Sequence, residues 1–255
     1  MLRRQNKTLL LMFVLASLTS AHAQYEVPEE IFQRTLLIRS GKQEATAFKF
    51  DQGGRIYLVT TRYFGKNLPL NNATVQVWHN QVWSDIPTLR TLFPASKDVD
   101  LAILETSEQV AKPYAVVKSS EVLTTGQPVW FMGWLGPLQL PTTIPANMPK
   151  TSRPLSPEIP LVKVGTISAI DPVRPDSFVI HFAGSSSARI AGGPIIYWSP
   201  SHRDFEILGV IERNERDAAA VPINGNSTKS GAKSGILKGY SIDIVVDAIS
   251  NAPQP

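Results

Sequence analysis

The sequence predicts an all-β fold, either a barrel or a sandwich, on three grounds. Eight apolar runs of about 5–8 residues, rich in Val, Ile, Phe, Tyr and Trp, are bounded by Gly, Pro, Asn or Asp. Turn signals stand between successive runs, as in barrels and sandwiches. Only one stretch carries a convincing helical period, so the strands do not alternate with helices as an α/β fold requires.

In chain order, the first segment is not fold. Arg3, Arg4 and Lys7 give a basic start, "LLLMFVLASL" is an apolar run, and Ala21 and Ala23 flank His22. That is the three-part pattern of a secretory signal peptide over residues 1–23, with cleavage expected after Ala23. The apolar run is too short to span a bilayer, and no later stretch is long enough either. An exported, soluble mature protein, bacterial and periplasmic, is expected. Removing these residues takes away three bases and no acid, so a balance of 25 bases against 21 acids becomes 22 against 21. The sequence pI of about 9.3 therefore overstates the charge. No basic run remains that would argue for nucleic acid or an anionic membrane.

"EVPEEIFQR" reads as one or two turns of helix begun at Pro28. The strand runs follow: "ATAFKF", "RIYLVTT", "ATVQVWH", "DLAILE", "QPVWFMGW", "DSFVIHF", "GPIIYW" and "FEILGVIE". "DQGG" at 51–54 predicts a hairpin turn between the first two. Residues 136–160 hold seven prolines and few apolar anchors, which predicts an extended loop. Residues 224–235 read as a flexible polar loop, their glycines spaced wrongly for a phosphate-binding motif. At the end, Ile242, Val245, Val246 and Ile249 recur at i, i+3, i+4 and i+7, predicting a helix over 241–251 capped by Ser241, with Asp243 in its first turn.

There are no cysteines. A thiol nucleophile, thiolate metal sites and disulfide frameworks are thereby excluded. His79, His181 and His202 do not pair at metal-ligand spacing, so no metal and no cofactor is expected. Trp78, Trp130 and Trp198 sit in apolar runs and are expected in cores. Trp83 and Trp134 stand near a turn and beside the proline-rich stretch, where either could line a peptide groove, although packing is the plainer expectation.

One stretch, "ARIAGGPII" at 188–196, reads like a catalytic turn with its reactive atom missing. Together with six other blocks in the same order, it makes the chain resemble the trypsin-like serine peptidases, especially their bacterial periplasmic members. "ATAFKF" sits where that family has a Gly-Thr-Gly-Phe strand, and "YLVTTRYF" resembles the block ending in the catalytic histidine. "DVDLAILE" is similar to the segment carrying the catalytic aspartate, and "GQPVWFMGWLG" to the stretch opening the second barrel. "VGTISAI" matches a Gly-x-Val-Ser-x-Ile strand, "ARIAGGPII" takes the nucleophile position, and "ILGVIE" is the strand after it. Each block alone is weak; seven in order, over roughly residues 40–215, are hard to obtain by chance.

The resemblance implies two orthogonal six-stranded barrels, over 24–117 and 118–255, with a cleft between them and the C-terminal helix laid on a barrel. It places Tyr63, Asp100 and Ala191 at the triad positions, and Arg189 with Ala191 at the oxyanion hole. A methyl group cannot attack a carbonyl. A phenol, with a reference pKa of ~10, is a poor general base near neutrality. An arginine crowds a place where the family has glycine. Asp100 would then persist as a carboxylate bonded to the Tyr63 hydroxyl or to nearby backbone amides. Ser185, Ser186 and Ser187 fall in the loop that lines the family's specificity pocket.

Three readings follow. The leading one is an exported pseudo-peptidase that binds an unidentified peptide or protein segment through its cleft and does not hydrolyse it. The second is an active serine hydrolase with a displaced nucleophile among Ser185–Ser187. The third is an unrelated exported β-barrel.

Overall fold

The structure is a computed structural model that describes residues 26–79, 82–109, 123–134, 160–174, 176–183, 188–212 and 235–253. The expected signal peptide, nearly all of the proline-rich stretch, the 224–235 loop apart from Gly235, the boundary at 117 and Ser185–Ser187 lie outside the described residues.

Six antiparallel strands close the first barrel: β1 (Thr35–Ser40), β2 (Gln43–Gln52), β3 (Arg55–Thr60), β4 (Thr74–His79), β5 (Val82–Leu92) and β6 (Ala102–Gln109). Their spatial order is β1-β2-β3-β6-β5-β4. Six more close the second: β7 (Pro128–Gly133), β8 (Leu161–Ile170), β9 (Ser177–Phe182), β10 (Pro194–Ser199), β11 (Asp204–Ile211) and β12 (Ile236–Ser241), in the order β10-β11-β12-β9-β8-β7. Closure leaves no free sheet edge within either barrel. The "DQGG" hairpin forms as expected: Gln52 pairs Arg55, and Gly53 and Gly54 take φ of 59° and 78°. That is the left-handed pair which a two-residue primed turn requires.

Among the described residues three α-helices accompany the strands: α1 (Glu29–Arg34), which begins after Pro28 as expected, the single turn α2 (Arg62–Gly65), and α3 (Asp243–Ser250). The α3 start differs in detail from the expectation. Ser241 ends β12 and Ile242 occupies the cap position, while the Ser241 hydroxyl still accepts from the Asp243 amide at 3.2 Å. Val245 and Ile249 bury the expected face.

Each barrel has its own interior, Ile38, Leu58 and Leu104 in the first and Phe131, Phe178 and Ile180 in the second. A further core is shared: Phe48 and Ile103 pack in one cluster with Phe205, Ile196 and Val245. At about 1.5–3 kcal/mol for each large apolar side chain fully buried, that shared layer ties the barrels together.

Candidate functional site at the barrel junction

The Tyr63 side of the junction is built by a helix start. β3 ends at Thr60, and the Thr61 side chain caps α2 by accepting from the Phe64 amide at 3.3 Å. This single turn presents the Tyr63 amide to Asp100, whose Oδ1 accepts it at 2.9 Å. Asp100 leads into β6, so the bond ties the segments after β3 and before β6. Tyr63 is 37% exposed, with the Lys66 ammonium 4.6 Å from its ring centre. Of the two expected bonds to Asp100, the one from a backbone amide is present. Arg62 fixes the approach to Asp100 by donating to the carbonyls of Pro94, Ser96 and Val99, each at 2.9 Å.

From the second barrel, Tyr240 reaches the same loop. Its hydroxyl donates to the Asp98 carbonyl at 3.2 Å and meets the Asp100 amide at 3.5 Å. The Glu212 carboxyl, one residue past β11, interacts electrostatically with that hydroxyl. Burial pushes Tyr240 far above the ordinary phenol range, and the Glu212 charge adds to the effect. Burial also raises the Glu212 carboxyl, with the Asp100 charge adding, while Lys238 and the Tyr240 hydroxyl oppose. The sequence reading missed both residues; only their place at the end of "ILGVIE" and in "KGYS" could have drawn attention to them.

The Ala191 side is closed. Ala188–Ile190 form a 3₁₀ turn. Ala191 is 4% exposed and Ile190 is buried in the second core. The Thr46 hydroxyl, on β2, donates to the Arg189 carbonyl at 2.6 Å and accepts the Trp134 amide at 3.0 Å. The Arg189 guanidinium pairs with Glu44 across the barrels at 3.3 Å. Gly192 has φ of 86° and seats so tightly that a Cβ there would come within 2.3 Å of the Thr46 carbonyl. Its other close contact is Thr60, three residues before Tyr63. Tyr63 and Asp100 are thus bonded to each other on the first barrel, while Arg189 and Gly192, on either side of Ala191, pack against Glu44, Thr46 and Thr60 of that barrel.

The histidines stand elsewhere. His79 ends β4, exposed, and His181 is exposed on β9. His202 is held through Nδ1 by the Glu206 carboxylate, whose other oxygen accepts from the Tyr197 hydroxyl at 3.0 Å. Trp134 is buried, its indole donating to the Thr35 carbonyl at 3.3 Å, so packing and not a groove explains it. Trp83 lies 5.2 Å from Trp78, the rings tilted by 55°, under the Arg39 guanidinium. Among the described residues no three His, Cys, Asp or Glu gather where they could hold a metal ion, and no helix is long and apolar enough to cross a membrane.

No protein-family model matches the chain, and no curated protein matches it. Solved structures do. The inactive form of a serine-to-alanine mutant of Rv3671c from M. tuberculosis H37Rv superposes with a TM-score of 0.53 at 17% identity, over 92% of this chain and 96% of that one. The inactive form of the Rv3671c protease gives 0.52 at 16%, over 89% and 92%. The MamO protease domain from Magnetospirillum magneticum gives 0.49 at 16%, over 88% and 98%. With its two six-stranded barrels and C-terminal helix, the chain has the chymotrypsin-like fold of serine proteases.

Proposed function

We propose that this chymotrypsin-fold chain is an exported peptidase homologue that has lost hydrolysis and uses the cleft between its barrels to hold a peptide or protein segment. One observation carries the proposal. The residue assigned to the nucleophile is Ala191, and its methyl group is buried where a reacting hydroxyl would have to face substrate.

The rest of the junction supports the same reading. Tyr63 stands in place of the base. The turn assigned to the oxyanion hole is folded as 3₁₀ and anchored through Arg189 to Thr46 and Glu44, where catalysis needs amides aimed at a developing charge. Export, with a periplasmic destination, is proposed from the basic start, apolar run and Ala-x-Ala pattern of residues 1–23.

The test is labelling of residues 24–255 by a fluorophosphonate probe, which reacts with activated serines. The natural protein is expected to stay unlabelled. A labelled natural protein would overturn the proposal, and mapping of the adduct would show whether one of Ser185–Ser187 serves as nucleophile.

A further inference from the structure

A groove of about 490 Å³ lies between the segment 92–99 and helix α3. Its volume falls in the range of about 300–1,000 Å³ typical of ligand sites. Phe93, Val99, Ile244 and Ala248 give it an apolar lining, and Asp176 and Asp247 add two carboxylates. Neither carboxylate makes a hydrogen bond or ion pair among the described residues. Two arginines beside the groove are engaged elsewhere. Arg62 is held by three carbonyls of the 94–99 loop and lies 4.9 Å over the Phe93 ring. Arg90 binds the buried Glu105 at 2.6 Å and the Pro253 carbonyl.

Two unpaired acids beside an apolar floor complement a cation carried on an apolar body. The walls are already fixed: Arg62 pins the loop, and Arg90 ties the end of the chain to the first barrel. Such preorganisation lowers the cost of binding. Val99 lines the groove and the next residue, Asp100, does not, so the groove is distinct from the Tyr63–Asp100 contact.

We propose that this groove is a separate binding site for a peptide segment that sets a lysine or arginine against Asp176 and Asp247 and an adjacent apolar side chain against Phe93 and Ile244.

The test is fluorescence anisotropy of mature protein with fluorescein-labelled Phe-Leu-Arg-Leu-Phe and its Glu-centred counterpart. The arginine probe is expected to bind, more weakly as salt rises, and the glutamate probe to fail. Asp176→Asn with Asp247→Asn should weaken the arginine probe by about tenfold. Ala248→Trp, which fills the groove, should abolish binding. Thermal unfolding of each variant verifies the fold, and if Ala248→Trp does not fold, the Asn pair decides alone. Absent binding, equal binding of the two probes, or an arginine probe indifferent to the Asn pair would each overturn the proposal.

Discussion

The two walls of the junction differ in what they keep. On the first barrel the backbone arrangement is intact: α2 is capped by Thr61, and Asp100 accepts the Tyr63 amide. There, only a side chain departs from what the peptidase resemblance calls for. On the second barrel the backbone itself is committed to something else, a 3₁₀ turn sealed by Thr46, Glu44 and the seat of Gly192. Under the proposal of lost hydrolysis, the contrast means that a catalytic group and the turn that presents it are lost separately. Restoring the triad side chain should suffice on one wall, while on the other the Arg189 anchor must be removed as well.

The largest expected effect comes from breaking the sealed wall. Gly192→Ala adds a Cβ in a left-handed backbone and within 2.3 Å of a carbonyl. A loss above about 4 kcal/mol is expected, enough to prevent folding or nearly so. Gly54→Ala, also at positive φ but with open space around it, is the control, with a loss of about 1–3 kcal/mol. Chemical denaturation of both variants checks the difference. Equal losses would mean that strain, and not the seat against Thr46, governs Gly192.

Thr46→Val comes next. It removes the hydroxyl shared by the Arg189 carbonyl and the Trp134 amide while keeping the shape. A loss of about 1–3 kcal/mol follows from leaving buried groups unsatisfied. Hydrogen exchange should show faster opening at Ala188–Ala191 while the amide of Tyr63 stays protected. Faster exchange on both walls would erase the distinction between them.

The smallest effect is a pH slope. The Glu212 carboxyl is raised in the folded state, chiefly by burial. Between the ordinary carboxylate value and the raised one, the folded protein binds more protons than the unfolded chain. Its stability therefore falls as pH rises through that window. Glu212→Gln should flatten the slope above the ordinary carboxylate range, as measured by thermal unfolding against pH. An unchanged slope would remove Glu212 from the account.

Much of the fold was legible because its strands carry their own signals. "RIYLVTT" became β3 and "GPIIYW" became β10 with bounds shifted by a residue or so. Three strands were not read. β1, "TLLIRS", is a short run beside a helix, while β5 contains Pro87 and is largely exposed, and β12, "ILKGYS", breaks its pattern with a lysine and a glycine. Ring closure by neighbours supplies what their sequences lack.

At the junction, the seven ordered blocks pointed to Tyr63, Asp100, Arg189 and Ala191. The bond that anchors the Arg189 turn was out of reach, since Thr46 and Arg189 stand 143 residues apart. The His202–Glu206 pair was equally hidden, because its i,i+4 spacing spans a hairpin turn and not a helix.

The most direct test of the two-wall account is stepwise restoration read by fluorophosphonate labelling. Tyr63→His with Ala191→Ser repairs both side chains and leaves the Arg189 turn sealed. Adding Arg189→Gly removes the ion pair to Glu44 and the side chain that crowds the assigned oxyanion position. The account predicts no labelling of the double variant and labelling of the triple. Labelling of the double variant would contradict it, because the second wall would then have kept its presenting turn all along.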